Sequence, residues 1–225
     1  MTFDWGYAGS ILPLLLNATV VTIAATFGGF VLALIAGLGL ALLRLSRWPL
    51  VSRIATLYVD FIRGTPLLIQ LFFVFFVLPQ YGLTFDPFVT GVVGLGMNYS
   101  AYTAEVYRAG IQDVPKGQWE AATAISLGRT RTWAGIILPQ AIPPMVPVLG
   151  NYLLAMYKDS PLLATITVQE LLGVALAQAS TSFRYLEPLT IVGLIFLTLS
   201  YPSALLLRQA GNRMRSHDVR PSPLY

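Results

Sequence analysis

The chain has 225 residues, of which 56% are hydrophobic and only 11% charged, and its net charge is +4 at neutral pH. Soluble domains carry about a quarter charged residues, so this set cannot cover the surface of a water-soluble protein of this length. The absence of cysteine excludes disulfides and thiolate metal sites, and one histidine, His217, cannot build a multi-histidine centre.

Five stretches carry no charge: Trp5 to Leu43, Gly64 to Phe85, Pro87 to Ala104, Thr132 to Tyr157 and Pro188 to Leu207. About 20 helical residues cross the roughly 30 Å of bilayer hydrocarbon. Apolar runs that are continuous rather than alternating indicate helices and not a barrel. The sequence therefore predicts one all-α integral membrane unit over residues 1–225, with five core transmembrane helices between about 15 and 208.

The first helix is expected over about Leu15–Leu43, with Pro13 near its start. The run is too long for a signal peptide, and no basic segment precedes it. Ala25, Gly29, Ala33, Gly37 and Ala41 recur every fourth residue and place small side chains on one face, which permits close packing in lipid. The second helix is expected over about Leu57–Leu78, weakened or kinked at Gly64-Thr65-Pro66. A connector at Pro79–Asp86 leads to a third helix over about Pro87–Gly110. Residues 111–131 are polar enough to leave the membrane, with room for a short helix at Trp119–Leu127. The fourth helix, about Thr132–Tyr157, holds Pro139, Pro143, Pro144 and Pro147 and cannot be regular. Lys158–Phe183 is apolar but interrupted by Asp159, Pro161, Gln169, Glu170 and Gln178, and reads as a re-entrant or external excursion. The last helix runs from Glu187 or Pro188 to about Leu207, and the basic, Pro-rich tail is expected to fray.

With the N-terminus outside and five crossings, every Lys and Arg except Lys158 and Arg184 falls on the inner side, along with the C-terminus. This is a strong positive-inside pattern. It accounts for the net positive charge by topology, with no nucleic acid needed.

No phosphate-binding G-x-x-x-x-G-K-[ST] loop is present, and Gly91, Gly94 and Gly96 lack the strand–turn–helix setting of a dinucleotide loop. Ser160 beside Lys158 is weak grounds for a membrane hydrolase. Ionisable and polar groups at membrane depth face a path, a partner or the interior. Asn98, Tyr102 and Glu105 share one face of the third helix, so they either line a passage for a polar solute or form a structural cluster in which Glu105 pairs with Arg108. Lys158, Asp159 and Ser160, joined by Glu170, form a second candidate for the solute path. In it, Lys158 and Asp159 pair with each other, with a neighbouring subunit or with the solute.

The segment Gly117-Gln118-Trp119-Glu120-Ala121-Ala122, followed by Ile136-Ile137-Leu138-Pro139-Gln140, resembles the signature loop of permease subunits in bacterial ABC importers. The family pattern is E-A-A, three residues, G, nine residues, I, one residue, L-P. Glu120, Ala121, Ala122, Ile136, Leu138 and Pro139 match it; Ser126 stands at the glycine position, with Gly128 two residues later. Phe61-Ile62-Arg63-Gly64-Thr65-Pro66, Ala101-Tyr102-Thr103-Ala104-Glu105 and Lys158-Asp159-Ser160-Pro161-Leu162 resemble segments of the polar amino-acid (histidine, glutamine, arginine) permeases, with Pro161 replacing a small polar residue. Details after Glu120 also resemble permeases for ectoine and hydroxyectoine.

The resemblance implies the five-helix, MetI-like fold of type I importers and a location in the bacterial inner membrane. It implies residues 111–131 as a cytoplasmic coupling loop, in which Glu120 caps a helix or pairs with a basic group. The partners implied are a cytoplasmic ATPase dimer carrying ATP and magnesium, a second permease (a homologue or the same chain) and an extracytoplasmic solute-binding protein. No cofactor is expected on this chain, and no catalysis. A channel or secondary carrier for a small polar solute is the alternative class.

Overall fold

A computed structural model describes residues 2–218, and every regular element in it is helical. Helix α1 spans Trp5–Arg44, about 60 Å at 1.5 Å per residue. It starts ten residues before the expected Leu15 because the Asp4 carboxylate accepts the Tyr7 amide at 3.0 Å and caps the first turn.

The second predicted helix is two helices. α2 spans Pro49–Gly64 and α3 spans Leu67–Phe72, the latter continued by a π turn at Phe73–Val77 and a 3-10 turn at Leu78–Tyr81. They meet at 103°, so the expected kink is a corner. Pro66 supplies no amide hydrogen and forces Thr65 into an extended conformation, φ −117° and ψ 140°. The carbonyls freed there are stitched by the Gln70 amide, which donates to Ile62 O at 2.9 Å and to Thr65 O at 3.2 Å.

α4 spans Pro87–Gln112 and is capped by Asp86. α5, Lys116–Ala124, and α6, Arg129–Thr132, lead through a π turn at Trp133–Ile137 into α7, Leu138–Asp159. The helix is not interrupted at Pro143, Pro144 or Pro147; the irregularity expected for this segment lies ahead of them in the π turn. A 3-10 turn at Ser160–Ile166, α8 at Leu171–Ser182 and α9 at Leu186–Asp218 complete the described chain. The Pro-rich end of the tail lies outside the described residues.

Side-chain contacts fix the helix directions. α1 and α4 run parallel: Gly29 faces Leu95, Gly37 faces Thr103, and Arg44 reaches Glu105. A Cβ on Gly37 would stand 2.0 Å from the Thr103 hydroxyl oxygen, and that hydroxyl donates to Ala33 O at 2.8 Å. α7 runs against α4, with Met145 on Gly110 and Tyr152 on Tyr99. α9 runs against α7, with Phe196 on Tyr157 and Leu207 on Gly150. α8 runs against the first part of α1, with Leu171 at Thr22 and Ser182 at Tyr7. The segment after α7 therefore continues in the sense of α7 and does not double back.

Three helical segments among the described residues, Trp5–Arg44, Arg129–Ile166 and Leu186–Gln209, are long and apolar enough to cross a membrane, and the bent pair makes four. Five were expected from the sequence. α4 falls short of the apolarity because its second half carries Asn98, Tyr99, Ser100, Tyr102, Thr103 and Glu105, most of them buried against other helices. A helix wrapped by protein does not need an apolar outer face.

Candidate functional site

A cavity of about 560 Å³ opens where the α2–α3 corner faces α4 and α7. Arg63, in the last turn of α2, and the backbone of Gly64–Pro66 form one wall, since irregular backbone at membrane depth is stable only against protein or a polar cavity. Asn98, Tyr99 and Tyr102 of α4 form the second wall, and Tyr152, Ala155 and Asp159 of α7 the third. The spacings of four on α4 and seven on α7 put each set on one helix face.

The lining is pre-set. The Arg63 guanidinium lies over the Tyr102 ring, 5.4 Å from its centroid, a cation–π contact. The Tyr99 hydroxyl donates to Asp159 at 2.7 Å. Asn98 donates to the Gln70 side-chain oxygen at 3.1 Å, so the amide that stitches the corner also orients the cavity's own amide. Tyr99, Tyr102 and Tyr152 form a triangle with centroids 5.9, 5.7 and 6.1 Å apart. The lining thus carries one cation, one anion and three aromatic faces.

The residues predicted for the path separate into groups. Asn98, Tyr102 and Asp159 meet in this cavity. Glu105 lies one turn further along α4 and is held by Arg44 at 2.5 Å and by Arg108, and it borders a separate cavity. Lys158 does not pair with Asp159. Successive helix residues diverge by about 100°, so Lys158 turns to the other side of α7, toward Phe196 and Tyr201.

Ser160 is buried and donates to Tyr157 O at 2.8 Å, away from the cavity. Glu170 does not join the cluster either. It is fully buried against α1, accepts the Thr22 hydroxyl at 3.3 Å and the Gly173 amide at 2.7 Å, and caps α8.

Sequence reasoning did not single out Arg63, Tyr99, Tyr152 or Gln70 for the path. Two signals were present: a charge placed immediately before the Gly64-Thr65-Pro66 breaker, and a tyrosine seven residues before Asp159.

In the loop, α5 is longer toward its start than the predicted Trp119–Leu127 and ends sooner. It terminates in a left-handed residue, Ser126 at φ 52°, with Leu127 N bonded to Ala122 O at 2.9 Å. This is the position where glycine is favoured, and Gly128, at φ −63°, does not take over the role. Ala122 is buried, whereas Gly117, Glu120 and Ala121 are exposed. Glu120 forms no ion pair among the described residues and does not occupy the cap position of α5, which Pro115 holds. Ile136 packs beside Ile137 in a cluster with Ile111, Val114 and Trp133, while Leu138 and Pro139 remain exposed. Trp119 of α5 meets Trp133 of the π turn edge to face, with centroids 5.2 Å apart.

Residues 29–216 match the family described as binding-protein-dependent transport system inner membrane component. A probable amino-acid ABC transporter permease protein, y4tG of Sinorhizobium fredii, is 46% identical over 212 residues, covering 92% of each chain. The crystal structure of an amino acid ABC transporter with histidines superposes with a TM-score of 0.89 at 34% identity, covering 95% of this chain and all of that one. An inward-facing MetNI methionine ABC transporter shares the fold, with a TM-score of 0.74 at 20% identity over 94% of this chain and 99% of that one.

Proposed function

The chain belongs to the family of inner membrane components of binding-protein-dependent transport systems, and on that premise we propose that it carries a net-neutral, amino-acid-like zwitterion through the Arg63–Asp159 cavity. It is a multi-pass inner-membrane permease of the amino-acid type, and its role is translocation and not ATP hydrolysis.

One observation carries the cargo class: Arg63 and Asp159 line one cavity with three tyrosine rings and no second charged side chain. A guanidinium takes a carboxylate in a two-pronged contact, and a carboxylate beside aromatic faces takes an ammonium or amidinium. A solute with one charge of each sign leaves neither wall unpaired, whereas a net cation or anion brings a charge with no partner in the lining. Ectoine and hydroxyectoine, zwitterions with a delocalised cation, are our specific candidates. The sequence resemblance and the aromatic triangle support them.

The alternating directions of α1, the α2–α3 pair, α4, α7 and α9 support five crossings, with α4 as the shielded one. The charge bias supports an outside N-terminus and a cytoplasmic α5. Family membership implies an ATPase dimer beneath α5, a second permease and a solute-binding protein that delivers cargo. In this reading the ATPases press on residues 111–131, Ala121 and Glu120 face them, and the push passes through Trp133 and Pro139 into α7.

The test is uptake by proteoliposomes holding the complete complex. ATP-dependent uptake of net-neutral zwitterions, ectoine ahead of glutamine, with the net cation arginine taken up poorly, is the expected result. Uptake driven by an ion gradient without ATP would instead establish a carrier. Glu120→Lys should leave the complex inserted while ATP hydrolysis no longer drives uptake.

A further inference from the structure

Two cavities lie in series between α4 and α7, and one side chain is common to both. The first is the Arg63–Asp159 cavity, which α4 lines up to Tyr102 and α7 lines from Tyr152 onward. The second, about 350 Å³, starts at Glu105 on α4 and continues to Asp113, while on α7 it extends back from Tyr152 through Val148 to Pro144. The helices are antiparallel, so both sets of residues advance together toward the α5 end of the molecule. Tyr152 alone lines both spaces. Its ring closes against Tyr102 and Tyr99, at 5.7 and 6.1 Å between centroids.

The helix carrying Tyr152 can yield just beneath it. Pro143, Pro144 and Pro147 lie within α7, and each removes the amide donor that would hold the carbonyl four residues earlier. Ala141, just before these prolines, and Met145, between Pro144 and Pro147, pack in the same cluster as Trp133 and Trp119. A displacement of α5 therefore reaches a weakened stretch of helix about one and a half to two and a half turns from Tyr152.

We propose that Tyr152 is the barrier between the solute cavity and an inner vestibule bordered by Glu105 and Asp113, and that bending of α7 at its prolines withdraws the ring. The identity of what passes rests on the reading above; the two spaces and the ring between them do not.

The chain contains no cysteine, so a single introduced thiol reports access without background. Ala155→Cys places it in the solute cavity and Val148→Cys in the vestibule. Inside-out vesicles bearing the complete, nucleotide-free complex are treated with a membrane-impermeant thiol reagent. Val148→Cys is expected to react about tenfold or more faster than Ala155→Cys, an access difference of about 1.4 kcal/mol. Adding Tyr152→Ala should raise the Ala155→Cys rate to that of Val148→Cys, whereas Tyr152→Phe should leave it slow, because the ring and not the hydroxyl closes the passage. Tyr152→Leu serves as the truncation if the alanine variant does not assemble. Equal rates with Tyr152 in place, or a slow rate after truncation, overturn the proposal. Labelling needs no cargo, so a complex that labels as expected yet imports no zwitterion would refute the cargo assignment and leave the barrier standing.

Discussion

The Tyr99 hydroxyl sits 2.7 Å from Oδ2 of Asp159, so the acid of the solute cavity is already engaged by a neutral donor. A bound cation must share or displace that contact. Asp159→Asn removes the charge while keeping the shape, and a hydrogen bond to a charged group is worth about 1.5–3 kcal/mol. The KM for uptake should rise about tenfold to a hundredfold. Tyr99→Phe removes only the competing donor and should change KM by less than about tenfold. Initial-rate uptake of labelled solute in proteoliposomes measures both.

The α1–α4 contact makes a paired prediction. A Cβ on Gly37 would meet Thr103 Oγ1 at 2.0 Å and the Ser100 carbonyl oxygen at 2.9 Å, whereas one on Gly39 meets nothing within 4 Å. Gly37→Ala should destabilise the fold by about 1–3 kcal/mol through overpacking, seen as a lower melting temperature in detergent. Gly39→Ala should leave that temperature unchanged or slightly higher, since alanine favours helix by about 0.5–1 kcal/mol over glycine.

Ser126 holds φ 52° at the end of α5, a conformation that costs residues with a Cβ about 1–2 kcal/mol. Ser126→Gly should therefore raise the melting temperature of the complex, and Ser126→Val should lower it. Gly128→Ala, at φ −63° with no atom within 4 Å of its Cβ position, should do neither.

The Trp119–Trp133 edge contact, 5.2 Å between centroids, is the aromatic bridge from α5 to the π turn. Trp119→Ala forfeits about 1 kcal/mol of aromatic pairing. Coupled uptake should fall roughly fivefold while ATP hydrolysis by the complex persists, and Trp119→Phe should recover part of the loss. Parallel assays of phosphate release and uptake separate the two effects.

Composition and uncharged runs were enough to read a helical membrane protein, because lipid permits few alternatives. The break at Gly64-Thr65-Pro66 was legible from Pro66 alone; its 103° angle was not, because it depends on Gln70 satisfying carbonyls eight and five residues earlier. Asn98, Tyr102 and Asp159 were legible as polar groups in apolar surroundings. Lys158 and Glu170 were drawn into the same cluster by proximity in sequence, but helix rotation turns Lys158 about 100° away from Asp159, and Glu170 is taken by Thr22 on a helix 148 residues earlier. Tyr152 escaped notice because one tyrosine among apolar residues carries no mark until α4 is laid antiparallel to α7. The shielding of α4 was also invisible in a linear reading.

Helix α1 is tied at one end through Asp4 to Arg184 at 3.3 Å and at the other through Arg44 to Glu105 at 2.5 Å. Between these anchors Gly29 and Gly37 fit closely against α4. It offers a fixed ruler inside a machine whose other helices contain a corner and a run of prolines. Gly9 and Gly39 both have open space where a side chain would go and lie about 45 Å apart along the helix axis. Spin labels there should hold that spacing through the transport cycle, so any change measured from them to a label on α7 can be assigned to α7.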